Sequence, residues 1–389
     1  MTSNPEVLEE RRSGRRMAIA MLIVGLLIGG LFGVVLTYYY GPSKTTSSST
    51  SSIYALASSN PFSIGAAGTL QYAWGTLTNN TFEELYPNIK VAQLYEGSGS
   101  VATTEVATKQ FSIEAAADTT VIPEDLFQNI TDYEIAFGQT QMVIILDTAT
   151  ASGASVYSLW QTAQTEPPLS SQWNSTWQQI FTTIALDPNT VVGVSNPFTD
   201  PSGFQGAGML RLAGLAFFGN VSELYDAVYM NPTKYKMQDT ETDLVTLVQT
   251  GQVDFVISAY ESNAIPQTSG VANLAYITLP DFINLGTVSE INYYYQGNFN
   301  YTELGTTESY VLNPVTYCLT IPKPSTNPNA AILYAETLFS PAGATTLESY
   351  GITPLMPALV YGNDNSVPSE LLPFTTPVNS TDSSLFTGG

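Results

Sequence analysis

An uncharged apolar run from Met17 to Tyr40 follows a segment that carries Arg11, Arg12, Arg15 and Arg16, and it sets the terms for everything after it. A run of that length spans a bilayer with some tilt, and Tyr38, Tyr39 and Tyr40 suit the far interface. The arginines place residues 1–16 in the cytoplasm and the rest outside the cell as a single-pass ectodomain. A cleavable signal is the competing reading, although the nearest A-x-A, Ala55-Leu56-Ala57, stands well beyond the apolar run. An exported chain meets an oxidising exterior, yet Cys318 is its single cysteine, so no intramolecular disulfide can staple it. Stability must then come from a large core, which 389 residues at 44% hydrophobic content can build as two lobes.

Composition removes several function classes. Histidine is absent, which excludes the common zinc sites and His-based catalytic triads. From residue 53 onward six basic residues stand against thirty acidic ones, a balance that repels nucleic acid. Any anion held here must be held by backbone amides and hydroxyls. A hydrolase would need a Ser–Lys pair, and Lys90, Lys109, Lys234, Lys236 and Lys323 stand in no S-x-x-K spacing. The scarcity of lysine and the formal charge of -22 suit an acidic habitat, in which many carboxyls are neutral.

Residues 41–65 are a Ser/Thr-rich tether, and 363–389 read as a disordered Ser/Thr/Pro-rich tail. N-x-S/T sequons at Asn79, Asn129, Asn174, Asn220, Asn300 and Asn379 make a glycosylated exterior plausible. Between Ala66 and Gly362 strand-like and helix-like segments alternate. Strands are expected at Thr69–Ala73, Lys90–Tyr95, Gln141–Leu146, Thr190–Val194, Asp254–Tyr260 and Leu274–Leu279. Helices are expected from Phe82, with Thr81 and Glu84 as a capping box, and at Val101–Phe111, Gly206–Phe218 and Thr242–Gln249. Such alternation predicts an α/β fold with mainly parallel sheets. Gln141–Leu146 and Val315–Ile321 are expected as an antiparallel pair carrying the chain between lobes, with Cys318 a small buried residue.

The central stretch, Ser195-Asn196-Pro197-Phe198-Thr199-Asp200-Pro201-Ser202-Gly203-Phe204, lies on a strand-to-helix turn. Free N–H groups at such a turn suit an anion, whereas ordinary helix capping explains Asn196, Thr199, Asp200 and Ser202 equally simply. The stretch resembles the S-D-P-x-x-D-P-x-G-Y segment of archaeal-type tungstate/molybdate-binding proteins, the extracytoplasmic receptors of oxyanion ABC importers. In the same order, Tyr72-Ala73-Trp74-Gly75-Thr76-Leu77 resembles that family's A-G-S-L turn. Glu96-Gly97-Ser98-Gly99-Ser100-Val101 resembles its E-x-x-G-S-V turn, and Ala116-Ala117-Asp118 with Val121-Ile122-Pro123 its S-A-D-Y-x-L-I-P segment. Glu241-Thr242-Asp243-Leu244 and Tyr260-Glu261-Ser262 continue the match, which runs over roughly residues 69 to 361.

The resemblance implies a two-lobed periplasmic-binding-protein-like fold (type II) behind the N-terminal transmembrane helix. Lobe 1 is expected over 66–142 and 325–362, and lobe 2 over 143–324. It implies no cofactor and no catalysed reaction. The chain is expected to be a monomeric ectodomain that encloses tungstate or molybdate and passes it to an ABC permease and its ATPase. Thr76, Ser100, Asp200, Gly203, Tyr260 and Glu261 are the expected oxyanion-binding residues. The resemblance implies two carboxylates that bond directly to tungsten or molybdenum, with Asp200 matching the first and Glu261, which reads equally as a solvated surface acid, the candidate for the second; the device excludes sulfate because sulfur does not readily take further oxygen ligands. If the family acid instead aligns with Ser258 or Ala259, the site has lost one carboxylate. Thr76 in place of a serine, Ala116 in place of a serine, and Trp74 are departures that bear on the choice of anion. A sulfate or phosphate receptor of the same fold, and a structural surface glycoprotein with a degenerate cleft, remain alternatives.

Overall fold

The computed structural model describes residues 53–127, 129–379 and 382–386. The expected cytoplasmic segment, the membrane helix 17–40 and most of the tether lie outside these residues. Among the described residues, no helix is long and apolar enough to cross a membrane.

Strand formation begins earlier than expected. The alternating Phe62–Ala67 forms β1, which therefore starts inside the segment assigned to the tether. Thr69–Ala73, expected as a strand, is instead a helical turn leading into α1 (Gln71–Leu77). β-branched and aromatic residues favour strands only weakly, and packing of Ala73, Trp74 and Leu77 into the core decides the matter. Helical backbone then continues to Leu85, so Thr81 sits inside a helix rather than at its cap. β2 (Val91–Glu96), α2 (Ser98–Thr108), β3 (Ile113–Ala116) and β4 (Tyr133–Gln139) complete the first part of lobe 1. The chain crosses at Thr140 and Gln141 into β5 (Met142–Asp147) of lobe 2.

Lobe 2 adds α3 (Ala151–Ala163), α4 (Ser171–Phe181), β6 (Val192–Ser195), α5 (Pro201–Phe218), β7 (Tyr235–Gln238) and α6 (Leu244–Gln249). It then runs through β8 (Phe255–Tyr260), α7 (Glu261–Thr268) and β9 (Leu274–Thr278) to a separate hairpin, β10 (Phe299–Glu303) and β11 (Thr306–Tyr310). The chain returns through β12 (Thr316–Thr320), α8 (Pro328–Leu338), β13 (Thr353–Gly362) and β14 (Thr375–Pro377).

Seven strands in the order β14-β13-β4-β12-β3-β1-β2 form the first sheet, and five in the order β7-β6-β8-β5-β9 form the second. Both are mixed rather than mainly parallel. The crossover strands β4, β12 and β5 run antiparallel to their neighbours, as a chain that leaves and re-enters a lobe requires. β12 lies in the first sheet, not in lobe 2 as the expected boundary at 324 implied, and it pairs with β4 instead of with Gln141–Leu146. The two crossovers meet where the Thr140 N–H donates to the Val315 carbonyl at 3.1 Å.

Each lobe has its own aromatic centre. Phe62, Trp74, Phe82 and Tyr334 interlock in lobe 1, and Trp173, Trp177, Phe181 and Phe217 in lobe 2. Full burial of such a side chain contributes roughly 1.5–3 kcal/mol, which suits a chain without a disulfide. Cys318 is fully buried, as its strand-like surroundings suggested.

The expected disorder beyond 362 is corrected. β14 pairs with β13, and Leu385 and Phe386 are buried, with Phe386 stacked on Tyr361 at 5.0 Å. Thr119 donates its hydroxyl to the Leu385 carbonyl at 2.6 Å. Polar composition conceals this because a few apolar side chains suffice to dock a strand. Phe386→Ala should cost about 3 kcal/mol, read as a lower denaturant midpoint at unchanged slope. The six sequon asparagines are all exposed.

Candidate functional site

The carboxyl ends of β1, β2 and β3 in lobe 1 face those of β6, β7 and β8 in lobe 2. Each strand ends in a small or hydroxyl-bearing turn, so several buried polar groups converge between the lobes. Asp200 is 3% exposed and caps α5, its Oδ1 accepting from the Ser202 N–H at 2.9 Å. Its Oδ2 accepts from the Glu241 N–H at 2.8 Å, which ties the β6 turn to the β7 turn. The capping reading of Asp200 therefore holds, and the same side chain stands at the cleft.

Glu241, which the sequence presented only as part of a helix start, is the neighbouring acid. It is 2% exposed; burial first, and then Asp200, push its carboxyl well above the usual range. Its Oε2 accepts from the Thr240 hydroxyl at 3.3 Å, its carboxyl shares a hydrogen bond with that of Asp200, and its Oε1 is buried. Across the cleft lies Gly68, where an added Cβ would stand 3.0 Å from that oxygen.

The turn after β1 is thus Ala67-Gly68-Thr69-Leu70, not the segment around Thr76. Thr76 lies well inside α1, with its hydroxyl 2.7 Å from the Tyr350 phenol. Spelling alone pointed to the correct turn: Ala-Gly, a hydroxyl residue and Leu directly after an apolar run. The Thr69 hydroxyl is buried and engages the Tyr317 phenol.

At the end of β2, Gly97 precedes α2, and the Gly99 N–H donates to the Thr199 carbonyl of the other lobe at 3.2 Å. Ser100 is the third residue of that helix and only partly buried. The fully buried hydroxyl is that of Ser98, which accepts from the Ala117 N–H at 3.1 Å. Asp118, at the end of β3, accepts from the Thr120 N–H at 2.6 Å, and burial raises its pKa. Ala116 lies buried on β3 itself.

Gly203 offers no free amide, because its N–H donates to the Asp200 carbonyl at 2.9 Å. Its role is steric: a Cβ there would lie 2.5 Å from the Ser195 carbonyl oxygen, so glycine lets the first turn of α5 close onto β6. Tyr260 is fully buried at the end of β8 and donates to Gln205 Oε1 at 2.5 Å. Burial, followed by the nearby Asp200, raises its pKa well above the ordinary value.

Glu261 does not join Asp200. It opens α7 at the hinge, where its Oε2 accepts from Gln141 Nε2 at 2.8 Å and its N–H donates to the Gln141 carbonyl. It lines a hinge cavity of about 240 Å³ together with Asp281, Asn284 and Gly351. The strand-end position belongs to Tyr260, and one further residue turns the side chain outward.

No lysine or arginine lines the cavity of about 230 Å³ beside Asp200. Three of the described cations are engaged elsewhere: Lys323 pairs with Asp132 at 3.2 Å, Lys234 donates to the Asp187 and Thr190 carbonyls, and Arg211 lies over Tyr225 and Phe299. A larger groove of about 580 Å³ over the β1–β2 edge includes Asn60, Phe111 and Thr326 and none of the cleft residues.

Residues 62–353 match the family described as bacterial extracellular solute-binding protein. The molybdate/tungstate-binding protein WtpA of Thermococcus kodakarensis is 29% identical over 327 residues, covering 78% of this chain and 84% of its own. The protein of the same name from Pyrococcus abyssi is 27% identical over 327 residues, covering 78% and 87%. Among solved structures, the sulfate-binding protein SubI of Mycobacterium tuberculosis superposes with a TM-score of 0.50 at 11% identity, covering 76% and 87%. That likeness speaks for the fold.

Proposed function

The chain belongs to the family of bacterial extracellular solute-binding proteins, and from that premise we propose that it captures tungstate or molybdate between its lobes and delivers it to an ABC permease. It is a binding protein and not an enzyme, as its relatives are. The observation that carries the choice of ligand is the buried acid pair Asp200 and Glu241, set among strand-end turns, with no lysine or arginine lining the cavity beside Asp200. A carboxylate about 4 Å from a unit charge of like sign costs roughly 4 kcal/mol at an effective dielectric of 20. An acid beside an enclosed anion is tolerable where its oxygen bonds to the anion's central atom, and hexavalent tungsten and molybdenum accept such a bond. Names borne by the Thermococcus and Pyrococcus relatives agree with this reading. Residues 17–40 would hold the receptor at the membrane as a monomeric, glycosylated ectodomain with its ligand cleft outside.

Lobe closure around one ligand places donors from both lobes on it. The test is the melting temperature of the full-length chain with tungstate, molybdate, sulfate or phosphate. A ligand at a thousandfold excess over its Kd stabilises the folded state by about 4 kcal/mol. A large shift with tungstate or molybdate, absent with sulfate and lost in Asp200→Ala, is expected. A shift with sulfate or phosphate alone would replace the ligand, and no shift with any of the four would remove it.

A further inference from the structure

We infer that lobe 2 carries a second binding site, separate from the cleft, that takes a small alkylammonium cation bearing a hydroxyl. The site is a cavity of about 410 Å³ between the turn that joins α3 to α4, α4 itself and the segment that leaves β9. That volume lies within the range of small-molecule pockets. It shares no residue with the cavity beside Asp200, so the inference stands apart from the oxyanion reading.

Aromatic rings and acids share its walls. Trp173 and Trp177, one helical turn apart on α4, lie on one face of that helix, and the Trp173 ring stands 6.0 Å from Trp177 and 6.2 Å from Phe282. Glu166, Asp281 and Glu290 supply three carboxyls, and among the described residues no lysine or arginine lines the cavity. Core packing accounts for the rings. It does not account for two bare polar atoms: Trp177 Nε1 and Glu166 Oε2 are both buried without a hydrogen-bond partner, and Trp177 as a whole is only 2% exposed. Buried polar groups are nearly always satisfied, so a donor and an acceptor left bare on residues of one cavity mark what fills it. Leu169, held in left-handed backbone at φ 64 and 68% exposed, adds an apolar contact at the rim.

The lining selects the chemistry of the ligand. A cation over an aromatic face is drawn by the ring quadrupole, and the neighbouring carboxylates add to the attraction with no protein cation to compete. Alkyl groups on the nitrogen lose water against Trp173, Phe282 and Leu169, a gain that a small inorganic cation lacks. The Trp177 N–H needs an acceptor, which an ammonium group does not offer. One hydroxyl on the ligand satisfies both bare atoms, accepting from Trp177 Nε1 and donating to Glu166 Oε2.

Calorimetric titration of the full-length chain with three probes tests this: choline, tetramethylammonium, and the neutral alcohol in which a tert-butyl group replaces choline's trimethylammonium. Choline is expected to bind, the neutral alcohol about tenfold or more weakly, and tetramethylammonium, which lacks the hydroxyl, more weakly than choline. Glu166 and Glu290 are only partly buried, so their substitution tests charge without disturbing the core. The double variant Glu166→Gln/Glu290→Gln should weaken choline about tenfold while leaving the affinity for the neutral alcohol unchanged. Trp177→Phe keeps an aromatic ring and removes the N–H, and it should bring choline down to the level of tetramethylammonium. Choline that binds no tighter than the neutral alcohol, or not at all at about 10 mM, overturns the inference. So does an unchanged choline affinity in the double variant. Should Trp177→Phe melt well below wild type, the wild-type ranking of the three probes decides.

Discussion

Melted at pH 4 and again at pH 8, the protein is expected to unfold roughly 10 °C higher in acid. The cause lies in lobe 1, where Glu114 on β3 and Glu134 on β4 are buried among apolar side chains. Glu114 Oε2 holds no hydrogen bond, and Glu134 meets the Cys318 thiol of the intervening strand β12. Burial pushes both carboxyls well above the usual range. Glu105 and then Asp125 reinforce this for Glu114, and Asp118 does so for Glu134. Burial also raises Glu105 and Asp118.

An acid whose folded pKa exceeds its unfolded one binds more protons in the folded state. Its stabilisation is complete below the unfolded value near 4 and is lost as pH rises through the folded value. Each unit of difference is worth about 1.4 kcal/mol, so even partial shifts at several groups add to several kcal/mol. Global repulsion among the thirty acids from residue 53 onward acts in the same direction. Glu134→Gln removes the titration without changing shape. It should raise the melting temperature at pH 8 and leave it unchanged at pH 4. A stability maximum near neutrality in wild type would refute this account.

Gly97→Ala should weaken oxyanion binding by about 10- to 100-fold while leaving the ligand-free melting temperature within a degree or so. Gly97 caps α2 at φ -57, ψ 139, a conformation that alanine adopts without strain, so the open protein tolerates the change. Closed lobes do not tolerate it: the added Cβ would press into the Thr199 carbonyl and stand 3.2 Å from the Asp239 carbonyl, both backbone atoms of the other lobe. The penalty falls on the closed state alone, so it appears in affinity and not in the stability of the empty protein. Calorimetric titration gives the affinity, and small-angle scattering of the saturated variant should show a more open molecule than wild type. Unchanged affinity would mean that capture does not need the lobes this close.

Much of the architecture was legible because strand-like and helix-like runs alternate with clear turns, as at Lys90–Tyr95, Gln141–Leu146 and the Ser195–Phe204 turn. Asp200 was legible for the same reason: a proline and a glycine fix the turn around it. The misreadings share a cause, in that local preference was decided by distant packing. Thr69 and Tyr72 favour a strand, yet Trp74 can reach the lobe 1 core only from a helix. Glu241 stands where an acid ordinarily caps a helix, and its nearness to Asp200 depends on β6 pairing with β7. Glu261 failed by a single residue, since the end of β8 separates the cleft from the hinge.

The route of the chain also dictates an order of assembly. All five strands of the second sheet come from one unbroken stretch, from β5 to β9, whereas the first sheet takes strands from both sides of that stretch, with Phe386 docked in lobe 1 beyond its last strand. During synthesis lobe 2 can fold as soon as its last strand has emerged, while lobe 1 must wait for β14 and Phe386. The half of the protein that carries Asp200 and Glu241 is therefore built first, and the half that presents Gly68, Thr69 and Gly97 closes over it last.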